Sequence, residues 1–305
     1  MTINRRDSLK AFAVLGLAAF ATGSYAFSPL KTSSNFSYCL NTSTINGPKL
    51  GIIHSIEIAS KAGYNGVELW VRDIQKYLDE GNSPQELKKF LQNKNLIFES
   101  AIGFAPWMVS DEGMAQMKIE MQLMKSIGCK RIAAPAVGMP VDKEINWTDA
   151  GKRYHQLLEI GGEIGIQPLL EFWGAYPPFH QLSQALMVAA NANHPNAKIL
   201  ADVYHLFRGN SGFDSLKLLS GNAIEVFHMN DYPGNIPREQ QKDSDRIFPG
   251  NGVAPMKQIL SDLKNMGGEK VLSLELFNTN YWQEDPLIIA KKGLDKMKKL
   301  VAEIS

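Results

Sequence analysis

Leu157-Leu158-Glu159-Ile160-Gly161-Gly162-Glu163-Ile164-Gly165-Ile166-Gln167-Pro168-Leu169-Leu170-Glu171 contains, in fifteen residues, the unit from which the rest of the chain can be read. Leu157, Ile160 and Ile164 recur at helical spacing, Gly165 reads as a helix stop, and Gln167 to Leu170 is a short apolar strand that runs into a carboxylate. The same order recurs on both sides. Upstream, strands are expected over Phe36 to Leu40, Gly66 to Leu69, Ile97 to Ile102 and Arg131 to Ala134; downstream, over Lys198 to Ala201, Ile224 to Phe227 and Val271 to Leu274. Between them lie helical rhythms such as Leu50, Ile53, Ile56, Ala59 and the stripe Met114, Met117, Met121, Met124, which reads as packing against a sheet. Gly63, Gly128 and Gly267-Gly268 precede the second, fourth and eighth strands as further helix stops, and a last helix runs from Pro286 to Ala302.

Parallel strands need crossover connections, and eight strand-then-helix units close on themselves, so the pattern predicts an α/β fold of the (β/α)8 TIM-barrel type. The competing doubly wound sheet would carry a Gly-x-Gly-x-x-Gly phosphate loop after its first strand, and none follows Leu40. No composition break interrupts residues 36–305, which are read as a single catalytic domain.

The 305 residues include 32 Lys and Arg against 31 Asp and Glu, with 44% hydrophobic residues, which excludes a disordered chain or a small disulfide-stapled scaffold. A formal charge of +1 gives no basic field for nucleic acid, and no nucleic-acid partner is expected. Cys39 and Cys129 stand far apart without Cys-x-x-Cys spacing, so no thiolate metal site is indicated, and a single bridge between them stays open.

The N-terminus reads as a cleavable export signal over residues 1–26. Arg5, Arg6 and Lys10 precede an apolar run from Ala11 to Ala21, and Ser24-Tyr25-Ala26 offers small residues at the cleavage positions. The run is too short to span a membrane, and the mature part contains no longer one. The paired arginines followed by Leu9-Lys10 resemble the twin-arginine pattern, with Ser8 where that pattern usually has Phe. Residues 27–35 read as a linker. The mature chain then has a charge of −1 and is expected to be periplasmic.

In a barrel of this kind the site lies where the strands end. The last four ends read Leu170-Glu171, Ala201-Asp202, Phe227-His228 and Leu274-Glu275. Three carboxylates and an imidazole converging on one mouth repel one another unless a cation gathers them, and this mixture of oxygen and nitrogen suits Mn²⁺, Mg²⁺ or Co²⁺ and tolerates Zn²⁺. His205, three residues after Asp202, and Arg246, in a Pro/Gly-rich loop ending at Gly252, are placed to touch substrate oxygens. Trp70, Trp107 and Trp173 follow strand ends, where rings could stack on sugar faces, as does Tyr176.

Gly63-Tyr64-Asn65-Gly66-Val67-Glu68-Leu69, Glu171, Asp202-x-x-His205, His228-x-Asn230-Asp231, the Arg246 to Gly252 loop and Leu274-Glu275 together resemble the xylose isomerase-like barrel superfamily of sugar phosphate isomerases and epimerases. The resemblance covers nearly all of residues 36–300. Similarity to its ketose 3-epimerase branch implies that Glu171, Asp202, His228 and Glu275 bind the metal, that Glu171 and Glu275 also move the proton, and that His205 and Arg246 meet the substrate. Asn251 departs from the pattern, since relatives often carry an acidic residue there. The expected activity is divalent-metal-dependent isomerisation or epimerisation of a sugar or keto-sugar by proton transfer at a carbon next to a carbonyl. Which outcome, which sugar and which oligomeric state apply stays open at this stage, although export favours a free or oxidised sugar or a glycoside over a phosphorylated intermediate. Two alternatives stand beside it. One is an exported sugar-binding barrel without turnover; the other is a hydrolase like endonuclease IV, whose extra histidines are missing from Glu68-Leu69-Trp70 and from Ser100 to Phe104.

Overall fold

The computed structural model describes residues 36–304 apart from 48 and 143, so the expected signal and the linker lie outside the described residues. Eight strands form: β1 Phe36–Asn41, β2 Gly66–Trp70, β3 Ile97–Ile102, β4 Arg131–Pro135, β5 Gln167–Glu171, β6 Ile199–Asp202, β7 Val226–Met229 and β8 Lys270–Leu274. They pair in chain order, all parallel, and β8 closes on β1. The expected barrel is therefore present, with strand ends within about two residues of the sequence reading.

The connecting helices are α1 Ile52–Ala62, α2 Val71–Asp79, α3 Pro84–Asn93, α4 Asp111–Ile127, α5 Trp147–Ile164, α6 Leu182–Ala192, α7 Val203–Arg208, α8 Met256–Met266 and α9 Pro286–Ala302. The repeat is less regular than one helix per strand. β2 is followed by two helices, and β6 by the single six-residue α7 and a 3₁₀ turn, Asp214–Leu218. Gly128 and Gly165 end α4 and α5 in the left-handed region, φ 94° and 81°, which a residue with a Cβ adopts only at a cost.

Two apolar layers hold the barrel. Inside it, Cys39, Ile102, Ala133, Leu169, Leu200, Val226 and Val271 fill the bore beneath the mouth. Between barrel and helices, the second face of each strand packs on the helical stripes, Met114, Met117, Met121 and Met124 among them, all buried. A strand buried on both faces is why the sequence shows continuous apolar runs rather than alternation. Cys39 and Cys129 are both buried and free, which settles the question of a bridge. No helix among the described residues is long and apolar enough to cross a membrane.

Candidate active site

Strand register assembles the site. Asn41 of β1 lies beside Glu68 of β2, Asp202 of β6 beside His228 of β7, and His228 beside Ser273 of β8. Glu275, one residue beyond β8, donates its backbone N–H to Met229 O at 3.1 Å, which fixes it against β7. Ligand atoms of Asp202, His228 and Glu275 lie within 4.8 Å of one another, and all three residues are buried.

Each carboxylate has a second task that holds it in place. Asp202 Oδ1 accepts from the His205 N–H at 2.9 Å and so caps α7, while Oδ2 accepts from Asn230 Nδ2 at 3.1 Å and Arg246 Nη1 at 2.8 Å. Glu275 Oε1 accepts from Asn41 Nδ2 at 3.0 Å, and Oε2 from the same Arg246 Nη1 at 2.7 Å. His228, wholly buried, has Nε2 2.9 Å from Glu68 Oε2 and Nδ1 3.2 Å from Glu275 Oε2 and 3.7 Å from Asp202 Oδ2. Neither ring nitrogen is aligned for a good hydrogen bond. Burial works against a charge on this ring, but Glu275 and Glu68 outweigh it and hold the imidazole far above its ordinary pKa. A nitrogen lone pair facing two carboxylate oxygens needs something positive between them. A proton satisfies that need, and so does a divalent cation, for which this donor set of two oxygens and one nitrogen is fitting.

Glu171, the fourth expected ligand, ends β5 and lines the same cavity, but it falls outside the 4.8 Å group. Burial pushes its carboxyl up to about 8, with Glu275 and Asp202 adding to the rise against the pull of His228 and Trp173. The structure thus brings three of the four within that distance and places the fourth beside Glu275 in the cavity lining.

Arg246, expected to touch substrate oxygens, lines the cavity from its floor, with its side chain only 1% exposed. Four of its five N–H groups meet carboxylates: Nη1 donates to Asp202 and Glu275, and Nε and Nη2 both donate to Asp243 Oδ1. The physical reason is the excess of buried negative charge, which draws in the nearest fixed cation. The guanidinium also lies over the rings of Tyr204 and Phe277, at 4.7 and 5.0 Å. His205 stays neutral, because burial and then Arg246 depress its pKa more than the neighbouring carboxylates raise it. Its Nδ1 accepts from the Gly174 N–H at 3.3 Å, and its Nε2 lies 3.3 Å from Arg246 Nη2 in the cavity wall.

The cavity above this floor measures about 560 Å³. Trp70 and Trp173 line it, as expected, and so does Tyr176. Trp107 does not. It is fully buried, donates its indole N–H to Pro135 O at 3.1 Å and packs 5.8 Å from Tyr154, because the loop after β3 turns its ring outward beneath α5. Sequence reasoning missed Glu68 and Asn41. Glu68 is wholly buried within β2 and accepts from Asn41 Nδ2 at 2.9 Å and Ser273 Oγ at 2.8 Å. The available signal was a charged residue inside an apolar strand, a position charges occupy only when paired.

Comparison with known proteins adds a family. The model of the xylose isomerase-like TIM barrel family matches residues 56–300. Inosose isomerase of Bacillus subtilis (strain 168) is 25% identical over 264 residues, covering 82% of this chain and 91% of its own. Fructoselysine 3-epimerase of Escherichia coli O157:H7 is 22% identical over 283 residues, covering 85% and 97%. Among solved structures, a crystal structure of the IOLI protein with a binding zinc atom superposes with a TM-score of 0.80 at 22% identity, covering 88% of this chain and 99% of that one.

Proposed function

The chain belongs to the xylose isomerase-like TIM barrel family, and from that premise we propose that it is a divalent-metal-dependent sugar isomerase or epimerase, which moves a proton on a carbon next to a carbonyl. The observation that supports this most is the buried Asp202, His228, Glu275 group, whose Glu275 lines one cavity together with a further buried carboxyl, Glu171. Asp202, His228 and Glu275 would hold the cation, with Glu171 able to join them once its proton is lost. Mn²⁺, Mg²⁺, Co²⁺ and Zn²⁺ all suit such donors. A cation held there supplies Lewis-acid polarisation of a substrate carbonyl. Glu171 and Glu275 are the groups that take and return the carbon-bound proton. His205, in the cavity wall, meets a substrate oxygen, while Arg246 keeps Asp202 and Glu275 oriented. Inosose isomerase and fructoselysine 3-epimerase are named for inosose and fructoselysine, which supports a polyhydroxylated ketone as substrate.

Incubation of the metal-loaded protein in D₂O with ketoses, aldoses and keto-glycosides tests the proposal through deuterium incorporated at carbon. Glu171→Gln and Glu275→Gln are each expected to slow turnover by about 100- to 10,000-fold. Normal turnover by both variants on an identified substrate would overturn the acid/base assignment.

A further inference from the structure

The cavity is larger and more aromatic than a single sugar requires. Its polar lining is Glu171, His205, Arg246 and Glu275 in the floor together with Asp243, Ser244 and Thr279, while its walls carry Trp70, Phe104, Trp173, Tyr176, Phe277 and Trp282. Five of these six rings form one chain of edge-on contacts: Tyr176 to Trp173 at 6.3 Å, Trp173 to Phe104 at 5.6 Å, Phe104 to Trp70 at 5.5 Å, and Trp70 to Phe277 at 6.1 Å. Rings fixed edge-on to one another cannot close the space between them by collapsing face to face.

The indole N–H groups of this wall are already engaged by the protein. Trp70 Nε1 donates to Asn41 Oδ1 at 3.0 Å and Trp282 Nε1 to Ser43 O at 2.9 Å, while the Trp173 side chain lies against Glu171. The Tyr176 hydroxyl donates to Met139 O at 2.6 Å. These rings therefore offer a ligand π-faces and edges but no free donor. Sugar hydroxyls against such a wall would lose water without gaining hydrogen bonds, whereas the C–H face of a pyranose or an aromatic ring loses nothing polar. Phe104, at 42% exposure, also stands open to solvent at the mouth, where an apolar ring remains unless something covers it.

Size points the same way. A lone hexose fills roughly half or less of 560 Å³, a volume inside the range of about 300–1,000 Å³ that accommodates drug-sized ligands. We infer that the substrate is a keto-sugar still joined to a second ring, so that the reacting sugar meets the polar floor while its attached ring stacks on the Trp70, Phe104, Trp173 wall. This rests on the function proposed above and narrows its substrate class to glycosides. The shared chemistry is a flat apolar face, which an aryl aglycone and a second pyranose both present.

Affinity, measured by calorimetry on metal-loaded protein, separates this inference from the question of turnover. The ligands are one ring-oxidised keto-glucose as its methyl glycoside, its phenyl glycoside and its glucosyl disaccharide. Binding of the phenyl or the glucosyl compound at least tenfold tighter than the methyl one supports the inference, and the tighter of the two identifies the kind of ring. Phe104→Ala should then reduce that ratio by about 2- to 10-fold, the amount expected for one lost ring contact. Because Phe104 is partly exposed, circular dichroism should show the variant folded. Equal affinities for all three ligands, or a ratio unchanged in Phe104→Ala, would overturn the second-ring site and leave the proposed reaction untouched. Absence of deuterium exchange on every compound would count against the reaction, and the binding ratio would still decide the second ring.

Discussion

His228 shows how a single side chain is given a role by its neighbours. Its Nδ1 faces the Asp202 and Glu275 oxygens, and Glu68, behind it at 2.9 Å from Nε2, is placed to hold the ring in that orientation. Ser273 and Asn41 fix Glu68 in turn. A metal-binding histidine whose far nitrogen is oriented by a carboxylate is a recurring arrangement, and weakening the partner typically costs 10- to 100-fold in metal affinity. Glu68→Gln keeps the shape but loses the charge that draws the Nε2 proton. It is therefore expected to weaken Mn²⁺ or Zn²⁺ binding by about 10- to 100-fold in a chelator competition, with thermal stability of the metal-free protein falling much less than affinity. Unchanged affinity in Glu68→Gln would mean that His228 is positioned by packing alone. Glu68 carries no role in the sequence reading because it stands inside β2, two residues before the strand's last residue. Its partner His228 stands at a strand end, so half of the pair was legible and the half that orients it was not.

At the scale of elements, what the sequence disclosed was what chain periodicity encodes: strand after helix, with the glycine stops and polar residues where strands end. Loop direction is not encoded that way. Trp107 and Trp173 both follow strands, yet one ring packs on Tyr154 and the other lines the cavity, a difference set by tertiary packing. Arg246 depends on a loop in the same sense. Residues 246–254 are tied down by Asp231, just after β7, whose Oδ2 accepts from the Gly250 and Gly252 N–H groups at 3.0 and 2.9 Å and whose Oδ1 accepts from Ala254 N–H at 3.0 Å. The fit is close, since a Cβ on Gly252 would stand 2.2 Å from Tyr232 O. Asn251, the departure from the family pattern, bonds outward to Lys296 and leaves this anchor intact. Asp231→Ala should cost about 2–4 kcal/mol of stability by leaving backbone donors unpaired, and Asp231→Asn less. Substrate KM should rise in the Asn variant, because the loop that delivers Arg246 and its partner Asp243 is loosened. A KM unchanged in folded Asp231→Asn protein would show that the loop holds its form without the anchor.

For the whole molecule, the donor set of the metal group and the expected export signal bear on one another. Asp202, His228 and Glu275 offer oxygen and nitrogen without thiolate, a set on which Cu²⁺ and Zn²⁺ outcompete Mn²⁺ or Co²⁺ wherever all are freely available. Selectivity in such a case comes from availability at the moment of folding. A twin-arginine route carries proteins already folded, so the ion would be chosen before export and then retained beneath a cavity whose ligands are almost wholly buried. Arg5 and Arg6, outside the described residues, are what this depends on. Residues 1–35 fused to a reporter that works outside the cytoplasm only when exported folded should deliver activity there, and Arg5→Lys with Arg6→Lys should abolish it. Exchanging residues 1–26 for a general secretory signal should then change the metal recovered with the exported protein, shifting it toward Zn²⁺ or Cu²⁺. Export that survives the double lysine change would point to the general secretory route. An identical metal content by both routes would show that the site, rather than the compartment in which it folds, selects its ion.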